Sequence, residues 1–173
     1  MAAGRKAQPS AAIIDSQSVK SSETSDERGY DAGKKINGRK RHILVDTIGM
    51  ILKVVVLPAN IQDRDGAKQL LARFFSQKTR RKVKRIWADG GYAGELIEQV
   101  AKLWRCTLEI VKRSDLHIHT FKVLPRRWVV ERTFGWLSRY RRFSRDYERQ
   151  AQTGETMVYL AMIRLMVARL GRQ

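Results

Sequence analysis

KRIWADGGYAG, residues 84–94, changes character twice within a few residues. A basic run ends at Lys84, the four residues Arg85 to Ala88 have strand character, and Asp89 arrives where Gly90 and Gly91 turn the chain. A carboxylate at the mouth of a buried strand is costly unless something cationic meets it. Asp15 stands in the same position after the apolar AAII of residues 11–14, ahead of the polar SQSVKSSET. Two strand-end aspartates and one later helical glutamate, Glu131, form the oxygen ligand set that a divalent-metal phosphoryl-transfer site requires. These three residues are the candidate catalytic and metal-binding centre.

The wider composition sets the partner. Thirty-five Lys and Arg against 17 Asp and Glu leave a formal charge of +18, an excess that favours a polyanion, of which nucleic acid is the commonest. A length of 173 residues with 43% hydrophobic content suits one domain with a real core. The division expected is a disordered basic start over residues 1–10 and one catalytic domain over 11–173. A single cysteine, Cys106, excludes an internal disulfide and a cysteine zinc cluster. The N-terminus lacks an apolar signal core, and the apolar run Met157 to Leu170 is interrupted by Arg164 and Arg169. The expectation is therefore a cytoplasmic, nucleoid-associated protein with no membrane partner, and a core or interface helix over Met157 to Leu170.

Read in order, Ala11 to Ile14 predicts a short buried strand delivering Asp15, and Ser16 to Asp31 a polar loop. Lys34, Lys35, Arg39, Lys40 and Arg41 follow as candidate phosphate contacts. His42 to Thr47 and Ile51 to Leu57 predict an antiparallel hairpin stopped by Pro58. Apolar residues at helical spacing predict a helix over Asp63 to Ser76, which Asp63 or Asp65 can cap, and Asp46 reads as a turn residue. QKTRRKVKR, residues 77–85, adds further candidate contacts, among them Arg81 and Lys82. Gly94 to Trp104 predicts a second helix and Thr107 to Val111 a fifth strand. Three strands, helix, strand, helix, strand and a long C-terminal helix is the ribonuclease H-like order: an α/β fold with a mixed sheet flanked by helices.

The glutamate helix carries the other half of the signal. At 100° per residue from Arg127, an arc of about 180° to 300° collects Val129, Val130, Thr133, Trp136, Leu137 and Tyr140 as a buried face. Glu131 falls on the opposite, basic stripe with Arg127, Arg132, Arg139 and Arg142. A glutamate four residues after an arginine can be a simple surface ion pair; among so many arginines, a face meeting phosphates and a carboxylate meeting metal explains it better. Trp87 and Trp136 read as core, with Trp128 near the polar arc. His117 and His119 alternate as if on one strand face, without a third metal ligand nearby in sequence.

AIIDSQSVK around Asp15, GRKRHILVDTIGMILKVVVLPANIQDRDGA from Gly38, WADGGYAG around Asp89 and RRWVVERTFGWLSRYRR from Arg126 together resemble bacterial insertion-sequence transposases of the DDE type, whose glutamate lies in an arginine-containing signature. The resemblance covers roughly Ala11 to Leu170. It implies a ribonuclease H-like core, two magnesium ions with manganese as substitute, and cleavage and strand transfer of double-stranded DNA at transposon ends and target. Carried over by residue, Asp15 and Asp89 are the catalytic aspartates, Glu131 the glutamate and Arg127 the signature arginine. Leu124 stands where the wider signature has tyrosine, and Ser138 where it has a basic residue, with Arg139 the nearest substitute. Members of this group usually carry a helical DNA-binding region ahead of the first aspartate, and 14 residues precede it here. The partners expected are therefore DNA, a separate N-terminal DNA-binding half and a second copy forming a homodimer on DNA. A structure-specific nuclease of the same fold and a non-catalytic DNA-binding remnant are the alternatives.

Overall fold

Side chains alternate across a strand, so a ten-residue strand can bury both faces only if its polar residues find partners. In the computed structural model, which describes residues 8–77, 82–111 and 125–171, β1 (Ala11–Lys20) does this. Ala12 and Ile14 enter one apolar cluster and Ile13 the other. The strand then continues through the serines expected to form a loop, because Ser16 and Ser18 donate hydrogen bonds to Asp63 and Asp31. Asp15 is thus a mid-strand residue rather than a strand-end one.

β2 (Gly29–Asp31) is a short strand inside the stretch expected to be loop. β3 (Ile36–Asp46) begins six residues before the predicted His42 and pairs antiparallel with all but the first residue of β1, Asp15 facing Ile43. Its far edge is shared: β2 pairs with Ile36 to Gly38, and β4 (Ile51–Pro58) with Arg39 to Val45. Asp46 fixes the β3–β4 turn, as the sequence suggested, by accepting from the Ile48 and Met50 amides, with Gly49 at φ 87°. On the other side of β1, β5 (Arg85–Ala88) runs parallel to it and β6 (Thr107–Ile110) parallel to β5. The order β4-β3-β1-β5-β6, three antiparallel strands followed by two parallel ones, is ribonuclease H-like.

One face is covered by α1 (Asp63–Phe75) and α2 (Glu95–Trp104), which bury Leu70, Leu71, Phe74, Leu96 and Val100 against Leu44 and Ile86. Gln62, not Asp63 or Asp65, occupies the N-cap position of α1. The other face carries α3 (Pro125–Ser138) and α4 (Ala151–Leu170), with Val130, Leu137 and Val158 packed on Ile43, Val54 and Val56. The glutamate helix ends at Ser138, so Tyr140 to Arg142 lie beyond it, and Phe134 joins the buried face that the expected arc had excluded. No helix among the described residues is long and apolar enough to cross a membrane.

The connection between α3 and α4 is held by two arginines that the sequence presented as DNA contacts. Arg39 is fully buried and donates to the carbonyls of Glu27, Glu148 and Arg149, with Asp146 at 3.6 Å. Arg41 donates to the carbonyls of Phe143 and Arg145 and lies over the Phe143 ring. Lys40, on the opposite face, donates to the Ile61 carbonyl between Asp31 and Asp63. Arg39, Lys40 and Arg41 are interior cross-links: none is more than 6% exposed, leaving no surface for a phosphate.

Candidate active site

Parallel pairing sets the first two carboxylates side by side. The last registered pair between β1 and β5 is Ile13 with Trp87, and Asp15 and Asp89 each lie two residues further along. Both therefore project on the face that carries Ile13 and Trp87, the face packed against α3. Gly90–Tyr92 forms a single 3-10 turn, and Asp89 caps it by accepting from the Gly91 amide at 2.8 Å. A side chain at residue 91 would place its Cβ 3.1 Å from that same carboxylate oxygen, so glycine gives the cap its room.

Glu131 comes from α3, and the tip of the β3–β4 hairpin positions that helix. Thr133 donates to the Gly49 carbonyl at 2.9 Å, Arg132 donates to the Ile48 carbonyl at 3.0 Å, and a Cβ at Gly49 would strike Thr133 and Trp136. Arg127, one turn before Glu131, bridges the site: its Nη2 lies 3.8 Å from Asp89 Oδ2 and 3.6 Å from Glu131 Oε1. Its side chain is only 18% exposed, against 50% for that of Glu131. Arg127 is thus a clamp between two carboxylates: the sequence reading weighed the ion pair with Glu131 against phosphate contact, and did not foresee the reach to Asp89.

Asp15 has the most perturbed carboxylate of the three. Burial pushes its pKa up to about 6, the neighbouring Asp89 charge adds to the rise, and the Ser16 amide, Arg127 and Lys34 oppose it. A carboxylate with this much desolvation and a second carboxylate beside it gains most from a bound cation. Among the described residues no three His, Cys, Asp or Glu side chains stand close enough to hold a metal ion as they are placed. The donor chemistry nonetheless fits one: Asp15, Asp89 and Glu131 offer only hard oxygens, and Glu131 reaches the others from an exposed helix position through the Arg127 guanidinium.

The remaining basic residues sort by surroundings. Lys34 and Lys35 are exposed in the turn before β3, and Lys34 is close enough to influence Asp15. Lys82 and Arg139 are exposed. Arg132 is sandwiched between the Trp128 and Trp136 rings, at 4.6 and 4.8 Å. Arg142 is paired with Glu148 on the exposed side of the α3–α4 connection. Arg81, His117 and His119 lie outside the described residues.

Sequence reasoning missed the polar group behind β1. Asp63, read as a helix cap, instead accepts from Ser16 at 2.8 Å and meets Lys40 at 3.0 Å. The alternation of Ser16 and Ser18 with Gln17 was the available signal, because two serines on one face of a central strand need acceptors.

A family model described as Transposase DDE domain matches residues 6–166. A curated relative, the putative transposase for insertion sequence element IS402 from Burkholderia cepacia, is 29% identical over 119 residues, which is 66% of this chain and 56% of that protein. The chain therefore spans little more than half the length of that relative. Among solved structures, the catalytic core domain of BIV integrase is similar with a TM-score of 0.48 and 17% identity, over 89% of this chain and 81% of that one. With the family model running through β1, the Asp89 turn, α3 and most of α4, the chain belongs to the DDE-domain transposase family.

Proposed function

We propose that this chain is the catalytic domain of an insertion-sequence transposase that cleaves DNA and transfers strands at Asp15, Asp89 and Glu131. The observation that carries the reading is the convergence of Asp15 and Asp89 from adjacent parallel strands toward an α3 whose Arg127 already spans Asp89 and Glu131. The three carboxylates would hold two magnesium ions, or manganese in their place. Such ions would supply activation of a water or 3′-hydroxyl and neutralisation of charge on the leaving oxygen.

The chain's own residues do the positioning. Asp15, desolvated in mid-strand, must be ionised to bind metal, so metal affinity falls as pH drops through its raised pKa of about 6. Arg127, held between Asp89 and Glu131, would place a cation beside the scissile strand and could bind its phosphate. Lys34 and Lys35 on one side, with Arg132 on α3 and Arg139 just past its end, track the phosphate backbone, and Lys82 and Arg142 extend that basic surface. Contacts of this kind position DNA without reading its sequence. End recognition belongs to a further N-terminal region, and a pair of chains on DNA brings two ends together.

The test is DNA cleavage and strand transfer with magnesium or manganese, comparing the chain with Asp89→Asn. Loss of at least about 10³-fold, several kcal/mol of barrier, is expected while DNA binding persists. Cleavage that survives the substitution, or that runs without divalent ions, would sink the proposal. A pre-cleaved end carrying a free 3′-hydroxyl separates transposase from nuclease, since only a transposase joins it to target.

A further inference from the structure

The group behind the sheet lies against both aspartate-bearing segments. Asp63, in the first turn of α1, accepts from the hydroxyl of Ser16 through Oδ1, and Ser16 follows Asp15 in β1. Its other oxygen faces the turn that Asp89 caps: a Cβ built on Gly91 would lie 3.8 Å from Asp63 Oδ2. Tyr92, the last residue of that turn, is fully buried with its hydroxyl lacking a hydrogen-bond partner, in reach of Ser16 and in the field of Asp15, Asp63 and Asp89. Neutralising Lys40 does not account for Asp63 by itself, since Asp31 lies 3.7 Å from the same ammonium and also takes the Ser18 hydroxyl. Nor does helix capping, because no side chain caps α1.

We propose that Asp63 is a positioning residue for the metal site: through Ser16 it fixes the strand carrying Asp15, and by bordering the Gly90–Tyr92 turn it limits where the segment carrying Asp89 can lie. This rests on the reading that Asp15 and Asp89 bind divalent cations. The separation of the two aspartates is then set from the far face of the sheet, by groups that do not touch DNA or metal. Outer-shell partners of metal-binding carboxylates typically change metal affinity by about 10- to 100-fold.

The experiment is calorimetric titration of the full chain with Mn2+ alone at neutral pH, together with thermal melting, for Ser16→Ala, Ser16→Thr, Asp63→Asn and Asp89→Asn. Ser16→Ala changes no charge, so a loss of about tenfold in Mn2+ affinity with near-native melting, restored by Ser16→Thr, is the expected result. Asp63→Asn should weaken binding at least as much. Affinity within twofold of the unaltered chain in both Ser16→Ala and Asp63→Asn, while Asp89→Asn abolishes binding, would overturn the positioning role and leave the metal site standing. Lower melting temperatures with unchanged Mn2+ affinity would overturn it equally. Indistinguishable titrations for the unaltered chain and Asp89→Asn would instead remove the metal site, and this proposal with it.

Discussion

Asp15 and Arg39 are both charged, both on central antiparallel strands, and both turned toward the α3 and α4 side of the sheet, yet they do opposite work. Arg39 is saturated: three backbone carbonyls and the Asp146 carboxylate surround its guanidinium. Asp15 accepts from the amide of its neighbour Ser16 and is disfavoured by both burial and Asp89. A buried cation ringed by acceptors serves the architecture; a buried carboxylate left short of compensation is a candidate for binding a ligand. The same face of one sheet therefore carries a structural end, where Arg39 and Arg41 tie down residues 143–149, and the end we propose for chemistry, where Asp15 and Asp89 lie beside Arg127.

The sharpest way to break this contrast is to truncate the saturated charge. Arg39→Ala takes the nearer cation from buried Asp146, the donor from the Glu27 carbonyl, and one of two donors from each of the Glu148 and Arg149 carbonyls. We expect a loss of about 3 to 5 kcal/mol, seen as a melting temperature lower by roughly 10 °C or more. A fall of a degree or two would mean that Arg39 is a solvated surface group after all. Activity lost in that variant would follow folding rather than chemistry.

Removing the uncompensated charge should do the reverse. The folded pKa of Asp15, about 6, lies above the ordinary carboxylate value of 3.8, so the folded state holds a proton more tightly than the unfolded chain does. Stability attributable to this group is therefore greatest below pH 4, declines between pH 4 and 6, and stays at its low value above pH 6. Asp15→Asn should raise stability by about 1 to 3 kcal/mol at pH 7 and by little below pH 4, while abolishing metal-dependent cleavage. Urea unfolding of both proteins at pH 4 and pH 7 checks it. A variant less stable than its parent at pH 7 would show that Asp15 is already compensated.

The same contrast explains which parts of the molecule were legible in the sequence. β4, α1, α2 and β6 were read to within a residue or two, because each buries apolar side chains with the period of its own geometry. The second half of β1 and the first half of β3 were not. Beside Val19, their buried side chains are Ser16, Ser18, Arg39, Lys40 and Arg41, which look like loop until cross-strand partners satisfy them. Polar strand residues carry no pattern of their own; their partners, Asp63, Asp31 and the carbonyls of residues 143–149, lie far away in sequence. The boundary of α3 at Ser138 was missed for a related reason. Tyr140 continues the apolar spacing of the helix but packs edge-on against Phe143 from the turn that follows. Of the proposed site, Asp15, Asp89 and Glu131 were singled out by the motif resemblance, whereas the contact of Arg127 with Asp89 and the Asp63 group needed the register of β1 with β5 and the seat of α1.

The smallest effect tests the edge between the two behaviours, at two adjacent lysines. Lys34 and Lys35 are both exposed in the turn before β3, but Lys34 is near enough to Asp15 to lower its pKa. Each single substitution to alanine should leave stability within about 0.5 kcal/mol, since neither side chain has a buried role. Each should also reduce the slope of log affinity for DNA against log salt by about 1, the mark of one lost phosphate contact. Only Lys34→Ala should move the acid limb of the cleavage profile to higher pH, because it removes a cation that favours the ionised form of Asp15. Lys35→Ala should leave that limb in place. Salt-dependent binding and pH profiles of the two variants, measured side by side, decide it: an identical acid limb in both would confine Lys34 to phosphate contact, and an unchanged salt slope in both would take this turn out of the DNA path.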